Sequence, residues 1–215
     1  MKGGPSGGQA AAEHGHFDAG LLGRTCVLEL GNGRWITLPT RRWVADPGGG
    51  DELLLVRCAG STLDIGCGPG RLTAALARRG ALCVGIDVSP TAIELTRQRG
   101  GTAVQCDVFA RVPGEGRWRF ALLADGNIGI GGDPVALLGR VFQLLAPGGR
   151  ALVELDPPGR RVRADRVRIN GGAWFRWAWL GVDALDEVAR AASARVVWTG
   201  AHGDRHFAEL MRART

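Results

Sequence analysis

The sequence lacks long apolar runs, paired cysteines and, almost entirely, lysine. No stretch of about 18 or more apolar residues occurs in the 215-residue chain, so we expect no membrane-spanning helix. The N-terminal residues lack the apolar core of a secretory signal, so export by that route is not expected. Five cysteines are an odd number, and without a C-x-x-C pair they predict neither a disulfide framework nor a zinc site. We therefore expect a cytoplasmic protein without a metal ion.

Positive charge is carried almost wholly by arginine. The formal net charge is +6, and Lys2 is the single lysine. A basic surface can attract nucleic acid or acidic substrates. GC-rich codons would produce the same arginine excess, and the arginines are scattered except between residues 160 and 168. The rest of the composition, 45% hydrophobic and 22% charged, is typical of a globular protein.

The chain divides into three predicted parts. Residues 1–20 have no hydrophobic period and predict a flexible tail. Residues 21–50 predict a small cap, because two short apolar runs flank a Gly-Asn-Gly turn and form a β-hairpin. The main domain is expected over 51–215, opening with a short helix that Asp51 caps.

Apolar strands alternate with helices from residue 61 onward. The predicted strands lie at 63–65, 82–86, 102–106, 120–124 and 151–155, and the third intervening helix ends at Pro147-Gly148-Gly149. Such alternation predicts a parallel sheet covered on both faces. After a helix capped by Asp183, two further strands joined by a short link must be antiparallel. The predicted fold class is α/β: a doubly wound, mostly parallel seven-stranded sheet of Rossmann-like type, with an antiparallel C-terminal edge hairpin and a small N-terminal β-hairpin cap.

A glycine-rich loop between the first strand and its helix is the strongest motif. It follows Asp64 and carries glycines at 66, 68 and 70. Glycines let the backbone turn tightly and approach a ligand, and the helix N-terminus offers unpaired N–H groups. The dinucleotide-binding pattern requires a third glycine where Arg71 stands, which counts against a nicotinamide dehydrogenase.

The run Leu63-Asp64-Ile65-Gly66-Cys67-Gly68-Pro69-Gly70 resembles the first motif of the class I S-adenosylmethionine-dependent methyltransferases. The resemblance extends over about 51–155 and, more loosely, to the C-terminus. It implies S-adenosylmethionine as the cofactor and 51–215 as a catalytic domain. The cofactor-binding residues that it implies are Asp64, Gly66, Cys67, Gly68, Pro69, Gly70, Asp87, Val88, Asp107, Val108, Asp125 and Gly126.

Two acidic residues of this set follow strands. Asp87 ends the second strand, where a carboxylate can accept hydrogen bonds from both ribose hydroxyls. The resemblance implies the same role, and it implies that Asp107 accepts from the adenine amino group while Val108 contacts the ring. A solvated loop aspartate is the alternative for Asp107.

The fourth strand is followed by Asp125, Gly126 and Asn127. Open α/β sheets bind ligands outside the carboxyl ends of their strands, so cofactor and acceptor should meet here. Asp125 is the predicted catalytic residue, as a general base, and Asn127 is predicted to contact the acceptor. Further base candidates are Asp156, His202 and His206. Many members of the family need no strong base, so a reaction without one stays open.

The segment after the fifth strand carries the remaining candidates. Asp156-Pro157-Pro158-Gly159 resembles the D-P-P-aromatic motif of methyltransferases acting on nucleobases or glutamine amides, but it follows the wrong strand and lacks the stacking aromatic. The arginines between 160 and 168 could contact the phosphates of a nucleic acid. The alternatives are that they form the solvated face of an exposed strand or bind an acidic small substrate. Trp177 and Trp179 would share one strand face and are predicted to contact the acceptor, with plain packing as the alternative.

The leading hypothesis is methyl transfer from S-adenosylmethionine to a small-molecule acceptor, a hydroxyl or an amine, by in-line displacement. An RNA methyltransferase using the basic face is the second. A catalytically silent module that binds S-adenosylmethionine or a partner is the third. The sequence predicts a small-molecule acceptor as partner and no membrane. Nucleic acid is disfavoured but stays open as a partner, and the sequence does not determine the oligomeric state.

Overall fold

The structure is a computed structural model and describes residues 15–213. Within these residues, nine helices and strands precede the strand that begins at Thr102. They are α1 (Asp18–Leu21), β1 (Val27–Leu30), β2 (Trp35–Thr37), α2 (Thr40–Val44), α3 (Gly49–Leu55), β3 (Thr62–Ile65), α4 (Arg71–Arg78), β4 (Cys83–Asp87) and α5 (Pro90–Gln98). The rest are β5 (Thr102–Gln105), β6 (Trp118–Leu123), α6 (Pro134–Leu144), β7 (Leu145–Leu155), β8 (Val162–Ile169), β9 (Phe175–Leu180), α7 (Leu185–Ala191), β10 (Ala194–His202) and β11 (Arg205–Arg212).

The main sheet has seven strands in the order β10-β11-β7-β6-β3-β4-β5. Strands β7, β6, β3, β4 and β5 are parallel, and β11 pairs antiparallel with both β7 and β10. The predicted α/β fold class, with its antiparallel C-terminal hairpin, is confirmed. Short apolar strands joined by helices give this arrangement because both sheet faces must be covered.

Each face of the main sheet buries its own apolar cluster. Leu137 of α6 and Val188 of α7 pack with Leu123 on one face. Leu54 of α3 and Leu76 of α4 pack on the other. Successive residues of one strand belong to opposite clusters, as Leu122 and Leu123 of β6 do.

The predicted N-terminal hairpin forms, but it is half of a second sheet. β1 and β2 pair antiparallel, and β1 also pairs with β8, giving the order β2-β1-β8-β9. Leu28 lies opposite Ile169, and both are buried. Hydrophobic side chains on one face of a two-stranded hairpin need a partner, and the 162–180 hairpin supplies it.

Four local predictions differ from the structure. The helix near Asp51 begins at Gly49, and Asp51 lies inside its first turn, where its carboxylate accepts from the Gly48 N–H at 2.8 Å. Asp183 accepts from the Arg161 N–H instead of capping α7. Pro147, Gly148 and Gly149 lie within β7, because α6 already ends at Leu144.

The fourth difference concerns the predicted tail. Residues 1–14 lie outside the described residues, but α1 falls within the expected tail and is packed against the main domain. Its Asp18 accepts hydrogen bonds from the Ser89 and Thr91 hydroxyls at 2.6 and 2.9 Å. Local sequence patterns do not predict this contact, because Ser89 and Thr91 lie more than 70 residues from Asp18 along the chain.

No helix within residues 15–213 is long and apolar enough to cross a membrane.

Candidate active site

A cavity of ≈ 460 Å³ opens at the carboxyl ends of β3, β4, β5 and β6. Between β3 and β6 the strand order reverses, which is where open α/β sheets bind ligands. Most predicted site residues line it: Asp64, Gly66, Cys67, Gly68, Pro69, Asp87, Val88, Asp107, Val108, Asp125, Asn127 and Trp177. The predicted residues Gly70, Gly126 and Trp179 are not among its lining residues.

The glycine loop bends sharply under the cavity. Gly66 has φ +69°, and a Cβ built on it would lie 2.6 Å from the side-chain nitrogen of Asn127. Gly70 has φ +79°, and its Cβ would meet the Thr96 Cα at 2.6 Å. Gly70 therefore packs against α5, which explains why it does not reach the cavity.

Asp87 is fixed at the cavity wall by backbone groups. Its Oδ2 accepts from the Gly68 N–H at 3.0 Å, and its Oδ1 accepts from the Ser89 N–H at 2.9 Å. Burial raises the pKa of this carboxyl, against the lowering effect of those two hydrogen bonds. A carboxylate oxygen has two lone pairs, so each oxygen can accept a further donor from the cavity.

The loop after β5 forms the outer wall. Asp107 is exposed and its Oδ1 accepts from the Phe109 N–H at 2.9 Å. Val108 is buried beside it, and Phe109 is 45% exposed. A flat ring could therefore lie against apolar surface with one carboxylate at its edge.

Asn127 ties two loops together. Its side-chain nitrogen donates to the carbonyl oxygens of Ile65 and Gly66, at 2.9 and 2.8 Å. Asn127 is predicted to contact the acceptor, but its side-chain NH₂ is already hydrogen-bonded at the glycine loop.

Asp64 lies at the bottom of the cavity and is almost wholly buried. Its Oδ2 accepts from the Thr73 hydroxyl at 2.6 Å. Burial raises the pKa of Asp64 to about 6, although the Thr73 hydrogen bond and the Arg71 charge lower it.

Asp125, the predicted base, is held by arginines. Its Oδ1 accepts from Arg42 Nε at 2.9 Å, and its Oδ2 accepts from Arg71 Nη2. Arg71 is only 3% exposed and also forms an ion pair with Asp51. Both oxygens of Asp125 are therefore engaged, and its backbone sits at the strained value of φ +54°.

Two more charged residues complete the cluster. Arg205 donates to both carboxylate oxygens of Glu154 at 2.8 Å, and to Asp51 at 3.0 Å. Glu154 in turn accepts from the Asp125 N–H at 2.7 Å. Burial alone would raise the pKa of Glu154, but its contacts with Arg205 and Arg42 hold that pKa below the usual value. The cluster thus contains three carboxylates and three guanidinium groups, whose charges cancel. Charged groups that are buried need such compensation.

Aromatic side chains cover the cavity. The Phe17 ring lies 6.0 Å from the Trp43 ring and 5.4 Å from the Trp177 ring, measured between centroids. His16 stacks on Phe175 at 4.3 Å. Sequence reasoning missed Phe17, Phe109 and Phe175 because no local motif marks them; their positions depend on tertiary packing.

The other base candidates lie elsewhere. Asp156, His202 and His206 are not lining residues of the cavity. Asp156 follows β7, and His202 and His206 lie in the β10–β11 hairpin. Trp179 packs in the second sheet, with the Arg163 guanidinium 4.0 Å from its ring centroid. Within residues 15–213 there is no cluster of three or more side chains suited to a metal ion.

Comparison with known proteins supports the predicted resemblance. A family model described as a methyltransferase domain matches residues 62–149, from β3 into β7. The matched segment contains the glycine loop, Asp87 and Asp125, so the predicted resemblance is confirmed.

Two curated relatives and one solved structure agree with this match. The chain is 33% identical over 156 residues to a trans-aconitate 2-methyltransferase of Paracidovorax citrulli (strain AAC00-1), covering 65% of this chain and 60% of that protein. It is 35% identical over 142 residues to a ribosomal protein L11 methyltransferase of Xylella fastidiosa (strain 9a5c), covering 62% and 43%. The chain thus spans less than two thirds of the length of either relative.

The solved structure is a SAM-dependent methyltransferase from Bacteroides fragilis in complex with S-adenosyl-L-homocysteine. It superposes with a TM-score of 0.74 at 20% identity, covering 95% of this chain and 97% of that one. At this identity the likeness establishes the fold.

Proposed function

We propose that this protein is a methyltransferase that uses S-adenosylmethionine to methylate a small molecule, at a hydroxyl or an amine, by in-line displacement. The observation that carries the proposal is Asp87, fixed by backbone N–H groups beside the glycine loop at the cavity wall. A dinucleotide enzyme would need a third glycine where Arg71 stands, and Arg71 is buried in an ion-pair cluster.

The residues present fit the cofactor. Asp87 can accept from ribose hydroxyls through its remaining lone pairs. Val108 and Phe109 offer apolar surface for an adenine ring, with Asp107 at its edge. The glycine loop brings backbone into the cavity wall at Gly66 and Gly68. S-adenosylmethionine would supply a methyl group already activated on a sulfonium sulfur.

We assign Asp125 a positioning role in place of the predicted base. Guanidinium groups engage both of its oxygens, so it is poorly placed to take a proton from an acceptor. Its contacts hold Arg42 and Arg71 beside the glycine loop and fix the chain after β6. The reaction then depends on positioning the acceptor against the activated methyl group, with the acceptor's proton released to solvent.

The test is methyl transfer from radiolabelled S-adenosylmethionine to a panel of small hydroxyl, amine and carboxylate compounds, with total RNA as a separate acceptor. We expect label in at least one small molecule and none in RNA. Label in RNA alone, with binding that falls steeply as salt rises, would support the RNA hypothesis instead. Tight S-adenosylhomocysteine binding without any transfer would favour the silent module. The cytoplasmic location and the division into tail, cap and catalytic domain stay predictions.

A further inference from the structure

Arg176 at the cavity and its cross-strand neighbour Arg166 form no ion pair within residues 15–213. Arg176 of β9 lines the cavity, and Arg166 of β8 lies directly opposite it in the strand register. Both are exposed, and within residues 15–213 no hydrogen bond or ion pair holds either guanidinium. Like charges directly opposite each other in a sheet are destabilising.

The neighbouring arginines are satisfied. Arg168 makes a two-pronged contact with Glu29, at 2.8 and 3.0 Å. Arg163 stacks on Trp179, and Arg71 is paired with Asp51 and Asp125. The pair formed by Arg166 and Arg176 therefore differs from these three arginines, each of which has a partner.

The carboxylates of the cavity do not neutralise this pair. Asp125 is held by Arg42 and Arg71, and Asp64 is buried against Thr73. Asp87 and Asp107 accept from backbone N–H groups. The guanidinium groups of Arg166 and Arg176 are therefore available to bind an anionic ligand.

Packing fixes where Arg176 stands. A Cβ on Gly132 would lie 2.8 Å from the Arg176 Cβ, so the loop after β6 presses against the stem of this side chain. Phe175 and Trp177, on either side of Arg176 in β9, belong to the aromatic cover of the cavity. Arg176 lines the same cavity as these two aromatic residues.

We infer that the methyl acceptor is a small organic acid, whose carboxylate or phosphate binds the guanidinium groups of Arg176 and Arg166 while its apolar body lies under the aromatic cover. Guanidinium groups bind such anions through paired hydrogen bonds, which fixes orientation as well as adding affinity. This inference rests on the proposed function and names the acceptor class for that site.

The test measures acceptor binding apart from transfer. Protein saturated with S-adenosylhomocysteine is titrated calorimetrically with trans-aconitate, benzoate and phenyl phosphate, each beside its neutral ester. We expect at least one anion to bind and its ester to bind weakly. Arg176→Gln and Arg166→Gln should each lower the affinity for the anion roughly 10- to 100-fold, which corresponds to the loss of one charged hydrogen bond. The anion affinity of Arg176→Lys should lie between those of the wild type and Arg176→Gln. Lysine keeps the positive charge but cannot make the paired hydrogen bonds of a guanidinium group.

Arg119→Gln is the matched control. It removes the same charge from an exposed arginine of β6 at the other end of the sheet, and should leave anion binding unchanged. Equal affinities in the Arg176 and Arg119 variants, equal affinities of anion and ester, or binding of no anion would each overturn the inference. Loss of S-adenosylhomocysteine binding in every protein, with anion binding intact, would contradict the proposed function instead.

Discussion

At the scale of single residues, the site depends on a balanced cluster of charges. Asp51, Asp125 and Glu154 face Arg42, Arg71 and Arg205 beside the glycine loop. Arg71 is buried, so its charge is tolerated only because Asp51 and Asp125 compensate it. The cluster joins α2, α3, α4, the loop after β6 and the C-terminal hairpin, and so fixes one wall of the cavity.

The first residue-scale prediction concerns Asp125→Asn. The variant leaves Arg71 with one compensating carboxylate, so we expect the free energy of unfolding to fall by about 3 kcal/mol in urea denaturation. The pH profile of methyl transfer should stay that of the wild type. Asp204→Asn, in the exposed β10–β11 turn, is the control and should change neither quantity. Unchanged stability together with a loss of kcat above 100-fold would show that Asp125 is the base after all.

At the scale of elements, α1 acts as a strap over the cavity. Asp18 binds the Ser89 and Thr91 hydroxyls at the start of α5, two residues beyond Asp87. Phe17 and Leu21, on the same segment, line the cavity. The element that closes the site is thus anchored next to the carboxylate that we assign to the ribose.

Asp18→Ala should loosen this strap. Two hydrogen bonds to a carboxylate are lost, and we expect S-adenosylhomocysteine to bind roughly tenfold more weakly, which corresponds to about 1.4 kcal/mol. Calorimetry gives the affinity, and limited proteolysis should cut sooner near residue 18. Asp204→Ala removes an exposed carboxylate as a control. An affinity and a cleavage rate equal to those of the wild type would show that the strap has no part in binding.

At the scale of the whole molecule, the two sheets meet at the cavity. The seven-stranded sheet supplies the glycine loop and the acids at its strand ends. The four-stranded sheet supplies Phe175, Arg176 and Trp177 from β9. Ile130 of the loop after β6 bridges to Trp177, so backbone hydrogen bonding joins the two parts directly.

Local signals in the sequence predict the first sheet well and the second sheet only in part. Asp87 and the loop around Gly68 are found from sequence because strand, turn and helix signals are adjacent in the chain. The pairing of Leu28 with Ile169 is not found, because the two residues are far apart and no local pattern selects the partner of a hairpin. For the same reason the sequence predicts Asp125 to be a general base. Its partners Arg42 and Arg71 lie in distant segments, so the ion pairs that engage it are not predicted.

The central claim is that Asp87 and the glycine loop bind S-adenosylmethionine. The most direct measurement is thermal melting of the full chain with S-adenosylhomocysteine, S-adenosylmethionine or NAD, on the wild type, Asp87→Ala and Asp204→Ala. At a Kd near ~10 μM and ~1 mM ligand, binding adds roughly 2.7 kcal/mol, or a shift of roughly 5–10 °C. The account predicts that shift for both adenosyl ligands in the wild type and the Asp204 variant, a much smaller one in the Asp87 variant, and none with NAD. A folded wild-type protein that shifts with neither adenosyl ligand, or shifts equally with NAD, would contradict it.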